Sequence, residues 1–387
     1  MKRFVIAFSL LFSLFLPLAA PAARPTPAVI EKPVPRPPAV AARSYILMDF
    51  DSGQVLAERD ADSRHDPASL TKIMTAYVVF HELAGGNLRL EDEVTVSKKA
   101  WRMPGSRMFI EVGKKVPVEA LIKGMLVDSG NDATVALAEH IAGSEDSFAD
   151  YMNRYAKALG LTGSHFVNAT GLPDPNHYIT ARDAARVTRA LIREFPEYYK
   201  WFAIRKMTFN GITQHNRNRL LWRDESVDGV KTGHTQSAGY CLVASARRDG
   251  MRLISVVMGT RSDEARASTS QALLNYGFRF FETHRLYAGG ARLTDARVWK
   301  GAREQIPLGL QQPLYVTIPR GRYKRLKADM KIRQSIMAPV KAGTQLGEVN
   351  VHLDGKTLVS VPLVALKDDP EGSLWQRMVD EVLLYFE

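Results

Sequence analysis

The sequence predicts an α/β (α+β) fold in which strands from opposite ends of one domain, residues 42–282, meet in a sheet with helices between them. A small all-β domain, 283–370, and an amphipathic helix, 371–387, follow. Three observations carry this. Strand-sized apolar runs lie at both ends of the first region, apolar residues at helical spacing fill its middle, and after about Thr283 the helical signal gives way to short β-like pieces separated by Gly and Pro. At 387 residues there is room for two or three domains. A composition of 45% hydrophobic and 24% charged residues is globular and excludes a chain that is disordered or membrane-embedded throughout.

The first 22 residues form a class of their own. Lys2 and Arg3 precede an apolar run from Phe4 to Leu18 and then small residues ending in Ala20-Pro21-Ala22, the pattern of a secretory signal cleaved after Ala22. A retained membrane anchor is the alternative, but the run is short for spanning. Residues 23–41 continue as a Pro-rich linker; seven prolines fall between 21 and 40, without apolar periodicity.

Folding is expected to begin near Ala42. Ser44 to Phe50 reads as a strand, Asp51-Ser52-Gly53 as a hairpin turn and Gln54 to Ala57 as the returning strand. From Ser69 to about Ile141 the pattern is mainly helical: Val118 to Val127 and Asp132 to Ile141 carry helical spacing, and Asp128-Ser129-Gly130-Asn131 interrupts them as a loop. Phe148 to Leu159 and Thr180 to Phe195 are further helices, separated by an irregular loop from Gly171 to His177. Strand-sized pieces follow at Lys206 to Ile212, Tyr240 to Ala246 and Leu253 to Met258, and Asp263 to Phe281 closes the domain as a long helix. In the β domain, Leu314 to Ile318, Val349 to Leu353 and Leu358 to Val364 read as strands.

Two segments suggest surfaces. Arg320 to Arg333 carries seven basic residues against one acid, a run that attracts anionic polymers or lipid surfaces or simply faces water on a hairpin. In the terminal helix Trp375, Met378, Val379, Val382, Leu383 and Phe386 fall on one side and Gln376, Arg377, Asp380 and Glu381 on the other, with Leu384 breaking the polar face. At 1.5 Å per residue its span of about 22 Å is too short to cross a bilayer but fits its interface. The single cysteine, Cys241, excludes an internal disulfide; it sits in the apolar run Gly239 to Ala244 and reads as a buried thiol rather than a nucleophile.

The chemistry starts from Asp66-Pro67-Ala68-Ser69-Leu70-Thr71-Lys72, a proline, a possible N-cap serine and then an apolar helix. Residues at i and i+3 are helical neighbours, so the Lys72 amine can reach the Ser69 hydroxyl, and the helix N-terminus suits a reaction that develops an oxyanion. The plain alternative is that Ser69 caps the helix and Lys72 snorkels to solvent. A Ser-x-x-Lys arises by accident roughly once or twice in a chain of this size. Two further motifs decide between them: Ser129-Gly130-Asn131 lies between two helical stretches, and Lys231-Thr232-Gly233 opens a strand-like region.

This ordered set of Ser-x-x-Lys, Ser-x-Asn and Lys-Thr-Gly is that of penicillin-binding proteins and class A β-lactamases. The surrounding residues, Pro67 to Thr75, Val127 to Ala133, Val227 to Thr235 and Tyr276 to Phe281, resemble the low-molecular-mass D-alanyl-D-alanine carboxypeptidases. The resemblance implies a transpeptidase-type domain with an antiparallel sheet and a helical cluster. It implies Ser69 as nucleophile, Lys72 as base, Ser129 as proton relay to the leaving amine, and Asn131 as a holder of a substrate amide or of Lys72. Lys231 is the expected cation that keeps Lys72 neutral. Backbone N–H groups of Ser69 and His234 would form the oxyanion hole. Thr232, Gly233, His234 and Arg266 would bind substrate, with Lys231, Thr232 and Arg266 reading its C-terminal carboxylate.

The expected substrate is the peptidoglycan pentapeptide, with β-lactams as inhibitors, in an exported periplasmic protein resting on the outer face of the inner membrane. No cofactor and no nucleic-acid partner are expected, and the histidines lack metal-ligand spacing. Arg219 departs from the family pattern: Asn216-Arg217-Asn218 is normally followed by a small residue. Rival readings on the same scaffold are a D,D-endopeptidase or a β-lactamase; the loop around Gly171 to His177 offers no convincing acidic deacylation residue, and the appended β domain argues against a plain β-lactamase. A non-catalytic peptidoglycan-binding protein is the rival of another class.

Overall fold

The structure, a computed structural model, describes residues 33–386, so the signal segment and the first part of the Pro-rich linker lie outside the described residues. From Arg36 onward the chain forms one compact unit. Strand β1, Ser44–Asp49, turns through Asp51-Ser52-Gly53 into β2, Val55–Arg59. Helix α1, Thr71–Ala84, and helix α2, Asn131–Ala142, belong to the helical cluster. Three long strands follow: β3, Val227–Thr235, β4, Gly239–Arg248, and β5, Met251–Thr260. Helix α3, Asp263–Phe280, closes the domain, starting at the Ser262 side-chain cap.

The strands form a five-stranded antiparallel sheet in the order β2-β1-β5-β4-β3. The first strand pairs with the last along Ser44↔Met258 to Asp49↔Leu253, the meeting of opposite ends that the sequence predicts. Every residue of β1 is buried, because alternate side chains face opposite layers. Ile46 and Met48 join the core of the helical cluster. Leu47 faces α3, whose Gly277 has no room for a Cβ: one would stand 2.5 Å from Leu253 Cδ1 and 3.0 Å from Leu47 Cδ2.

Helix α1 is the axis of the helical cluster. Phe80 and Val79 are wholly buried, each such side chain contributing roughly 1.5–3 kcal/mol of burial. Lys72 lies among them, also at 0% exposure. The predicted helix Val118 to Val127 is in fact α-helical only over Val118–Lys123 and then widens into a π-turn, Gly124–Asp128. The strand-like piece at Lys206 to Ile212 does not enter the sheet. It forms a separate hairpin, Lys206–Phe209 with Ile212–His215, that leans on the π-turn and reaches the site through His215.

In the β domain, six strands are ordered with Leu326–Ile332 at one edge and the two-residue strand Ile336–Met337 at the other. Ile306, Leu308, Val349, Val351 and Leu363 fill its core. A second pair, Phe281–Tyr287 with Leu314–Pro319, abuts the β1–β2 turn through Thr283 Oγ1 donating to Asp49 Oδ2 at 2.7 Å and Ser52 Oγ bonded to Thr317 Oγ1 at 2.6 Å. The terminal helix α4, Leu374–Leu384, begins in a capping box between Ser373 and Gln376. Its polar face is tied down: the Lys300 backbone N–H donates to Asp380 at 2.5 Å, and Lys300 pairs with Glu381. Its apolar face is bare, with Trp375 73% and Phe386 80% exposed. Among the described residues no helix is long and apolar enough to cross a membrane.

Candidate active site

Ser69 does not cap α1. It occupies a 3-10 turn, Ala68–Leu70, with no side-chain cap bond, and α1 starts at Thr71. The turn leaves the half-buried hydroxyl free to face Lys72, whose Nζ lies 2.9 Å away. Lys72 Nζ also donates to Asn131 Oδ1 at 2.7 Å and to the Thr170 carbonyl at 2.9 Å. Burial, with the Arg217 guanidinium as second cause, lowers the Lys72 pKa from its ordinary value of 10.5 to about 7.

The loop that supplies the Thr170 carbonyl is firmly held. Gly171, at φ +86°, packs so tightly that a Cβ would stand 1.7 Å from Ala68 O. Asn168 Oδ1 accepts the Gly171 N–H at 2.7 Å, and Thr75 Oγ1 donates to Ala169 O at 2.6 Å. His177 completes the latch. Its Nδ1 accepts the Val167 N–H at 3.0 Å, so its Nε2 carries the proton and donates to Thr71 Oγ1 at 2.8 Å. Burial lowers the His177 pKa to about 4, which keeps this tautomer neutral.

Ser129 ends the π-turn in the left-handed region, φ +60°, a conformation that costs a serine energy and re-aims its side chain. Its Oγ accepts from Lys231 Nζ at 2.8 Å. Lys231 is buried too, and its pKa falls well below the ordinary value through burial, then the charges of Lys72, Arg217 and Arg266. Burial and then the exposed Arg217 lower the Lys72 pKa, and the repulsion between the two buried amines appears among the causes that lower Lys231.

Asn131 bridges two walls, since its Nδ2 donates to Pro104 O at 2.7 Å while its Oδ1 holds Lys72. The neighbouring Asp132 carboxylate accepts the N–H groups of Met108 and Phe109 at 2.8 and 2.9 Å and so fixes the loop over the site. Opposite them, Gly233 lets β3 approach the Ser69 turn: a Cβ there would be 3.0 Å from Pro67 O.

Arg266 is buried. Its Nη1 donates to Gly233 O at 3.1 Å and to Cys241 O at 3.4 Å, and it pairs with Asp263. Arg219, the departure from the family pattern, pairs with Asp263 and with Glu264 at the rim. Cys241 is a buried thiol whose pKa is pushed up to about 11, unsuited to nucleophilic work.

A cavity of about 430 Å³ is lined by Ser69, Ser129, Arg217, Thr232, His234 and Arg266, among others. Ser69, Lys72, Ser129, Asn131, Lys231, Thr232, Gly233, His234 and Arg266 are thus brought to one place. Its chemistry is a hydroxyl beside a buried, depressed-pKa amine, a second hydroxyl–amine pair across the cleft, and guanidinium groups at the wall. Sequence reasoning missed Arg217's electrostatic position, the Thr170 carbonyl and Tyr240, whose ring lies tilted against His234 with ring centres 4.0 Å apart. Only Arg217 left a signal, the Asn-Arg-Asn pattern.

Comparison with known proteins agrees with this geometry. A family model described as D-alanyl-D-alanine carboxypeptidase matches residues 31–262, and a second, described as the C-terminal domain of penicillin-binding protein 5, matches 281–371. D-alanyl-D-alanine carboxypeptidase DacA of Escherichia coli (strain K12) is 45% identical over 365 residues, covering 92% of this chain and 91% of that one. The crystal structure of penicillin binding protein 5 from Haemophilus influenzae superposes with a TM-score of 0.83 at 42% identity, over 87% of this chain and 99% of that one. Penicillin-binding protein D2 from Listeria monocytogenes in its ampicillin-bound form matches 62% of this chain and 98% of its own, with a TM-score of 0.57 and 30% identity. The chain belongs to the D-alanyl-D-alanine carboxypeptidase family of serine peptidases.

Proposed function

We propose that this serine-type D-alanyl-D-alanine carboxypeptidase removes the terminal D-alanine of the peptidoglycan pentapeptide, with Ser69 as nucleophile and Lys72 as its base. The observation that carries the assignment is the hydrogen-bond set of Lys72. Asn131 Oδ1 and the Thr170 carbonyl are acceptors only, so in the neutral amine they take both N–H bonds and leave the nitrogen lone pair facing Ser69. The Ser69 hydroxyl then donates its proton to Nζ as Oγ bonds to the carbonyl carbon of the penultimate D-alanine.

Charge develops on the carbonyl oxygen, and the backbone N–H groups of Ser69 and His234 stabilise it; the close approach at Gly233 supports that placement. The proton passes by way of Ser129, held by Lys231, to the leaving nitrogen as the C–N bond breaks. D-alanine departs as the free amine. Water then attacks the acyl-enzyme, one of its protons passing by way of Lys72 to Ser69 Oγ as the ester bond breaks, and the shortened peptide leaves as a carboxylic acid that gives its proton to solvent. Thr232, Gly233, His234 and Arg266 bind the substrate, and Lys231, Thr232 and Arg266 supply the positive wall that reads its terminal carboxylate. β-Lactams enter the same chemistry at Ser69 and stall at the acyl stage.

The enzyme is exported to the periplasm and rests on the outer face of the cytoplasmic membrane through α4. The bare apolar face of that helix, with its polar face pinned by Lys300, supports this reading. The decisive assay measures D-alanine released from a pentapeptide alongside nitrocefin turnover. Stoichiometric D-alanine release with slow nitrocefin turnover is expected; rapid nitrocefin turnover without D-alanine release would instead make the protein a β-lactamase.

A further inference from the structure

A second cavity, about 720 Å³, adjoins the active site and shares His234 and Tyr240 with it. Its wall carries Arg43, Arg59 and Arg261, together with Gln236, and among the described residues no carboxylate lines it. Two of these cations are placed by the fold. The stem of Arg43 lies against Gly259, at φ +71°, where a Cβ would stand 2.5 Å from Arg43 Cγ; its Nη1 donates to the Ser237 carbonyl at 2.7 Å. Arg59 donates to the Ala42 carbonyl and lies over the Tyr45 ring, 5.5 Å from its centre. Arg261 is exposed and extends from the turn between β5 and α3 into the same space.

Arg43 and Arg59 have N–H donors left over, since one carbonyl satisfies one of five. The path into the cavity is set by β3. Its residues Gly233 and His234 flank the nucleophile, and Gln236 just beyond the strand end lies in the second cavity. A peptide extending along β3 past His234 therefore runs from the first cavity into the second. The terminal D-alanyl residues lie near Ser69, so the residues that reach the arginines are those further up the stem.

We propose that this arginine-lined cavity is a subsite for the free carboxylates of the upstream stem-peptide residues, such as those of D-glutamate and a diamino diacid, and that it makes the enzyme prefer acidic over amidated stems. The inference rests on the carboxypeptidase reading above. Charge-assisted, bidentate recognition is what guanidinium groups provide for carboxylates, and the chain's net charge of +11 favours approach of an acidic substrate.

The test uses the full-length enzyme and two synthetic pentapeptides ending in D-Ala-D-Ala, one with its upstream carboxylates free and one with them amidated. The parent is expected to show kcat/KM about tenfold or more in favour of the free carboxylates, carried by KM, as one charge-assisted pairing implies. The double variant Arg43→Gln/Arg261→Gln should bring that ratio near one, and Arg43→Lys/Arg261→Lys should retain part of it. Unfolding temperature and penicillin acylation of each variant, read alongside, show that the fold and Ser69 chemistry persist. Equal turnover of the two peptides by the parent, or an undiminished preference in the glutamine variant, overturns the subsite while leaving the carboxypeptidase reading intact. Failure of the parent to release D-alanine from either peptide overturns both.

Discussion

Lys72 Nζ stands 2.9 Å from Ser69 Oγ although the whole lysine side chain is buried, so the pair is in hydrogen-bond contact in a site that disfavours charge on the amine. With the Lys72 pKa near 7, the base form is the neutral amine above that pH and the inactive form is the ammonium below it. The acylation rate by penicillin should therefore rise by about tenfold per pH unit up to about 7 and level off above it.

Arg217 is the cation whose charge pushes the Lys72 pKa down, and it is exposed. Removing its charge in Arg217→Gln makes protonation of Lys72 easier, so the folded pKa rises and the acid limb of the acylation profile moves to higher pH. Solvent screening keeps the shift to a few tenths of a unit up to roughly one unit. An unshifted limb contradicts the assignment to Arg217.

Asn131→Asp tests the same amine from the other side. A carboxylate in place of the 2.7 Å amide contact stabilises the ammonium, so the limb moves upward by roughly one to three units, and acylation at neutral pH falls accordingly. Acylation recovering at alkaline pH distinguishes this from a collapsed site, which stays inactive throughout.

Gly171→Ala should destabilise the enzyme by about 2–4 kcal/mol, through both the clash with Ala68 O and the left-handed backbone. Gly86→Ala is the control. Gly86 has φ +74° with open space around it, so only the backbone cost of about 1 kcal/mol applies. Denaturant unfolding of both variants measures the difference.

A protein ending at Pro370 should leave the membrane fraction and fail to co-sediment with lipid vesicles, while the full chain binds them. The apolar face of α4 has no other cover among the described residues. Unchanged partitioning removes the anchoring role.

Much of the site was legible because its side-chain chemistry is written in short spacings. The i, i+3 relation of Ser69 and Lys72 and the triplets around Ser129 and Lys231 pointed to the cleft that the fold assembles, and the strand-like run at Ser44 found its partner in Met251–Thr260. What stayed hidden has no residue-type signal beyond the Asn216-Arg217-Asn218 pattern. The Thr170 acceptor is a carbonyl, available to any residue, and the influence of Arg217 on Lys72 acts through space. The 3-10 turn at Ser69 has no signal of its own, because a serine after a proline and before an apolar run has the same sequence whether it caps a helix or precedes it in such a turn. In the β domain, Arg292–Trp299 and Gln305–Gly309 escaped notice: charges at Asp295 and Arg297 and the imino acid Pro307 mask their alternation, and pairing with each other and with Ile336–Met337 and Lys356–Ala365 makes them strands.

The central claim is that Ser69, activated by Lys72, is the residue acylated. Intact-protein mass spectrometry after incubation with penicillin tests it in one measurement. The parent should gain the mass of one penicilloyl group, localised by peptide mapping to Ser69, and Ser69→Ala should gain none. A penicilloyl adduct on Ser69→Ala, or its mapping to another residue in the parent, would contradict the account.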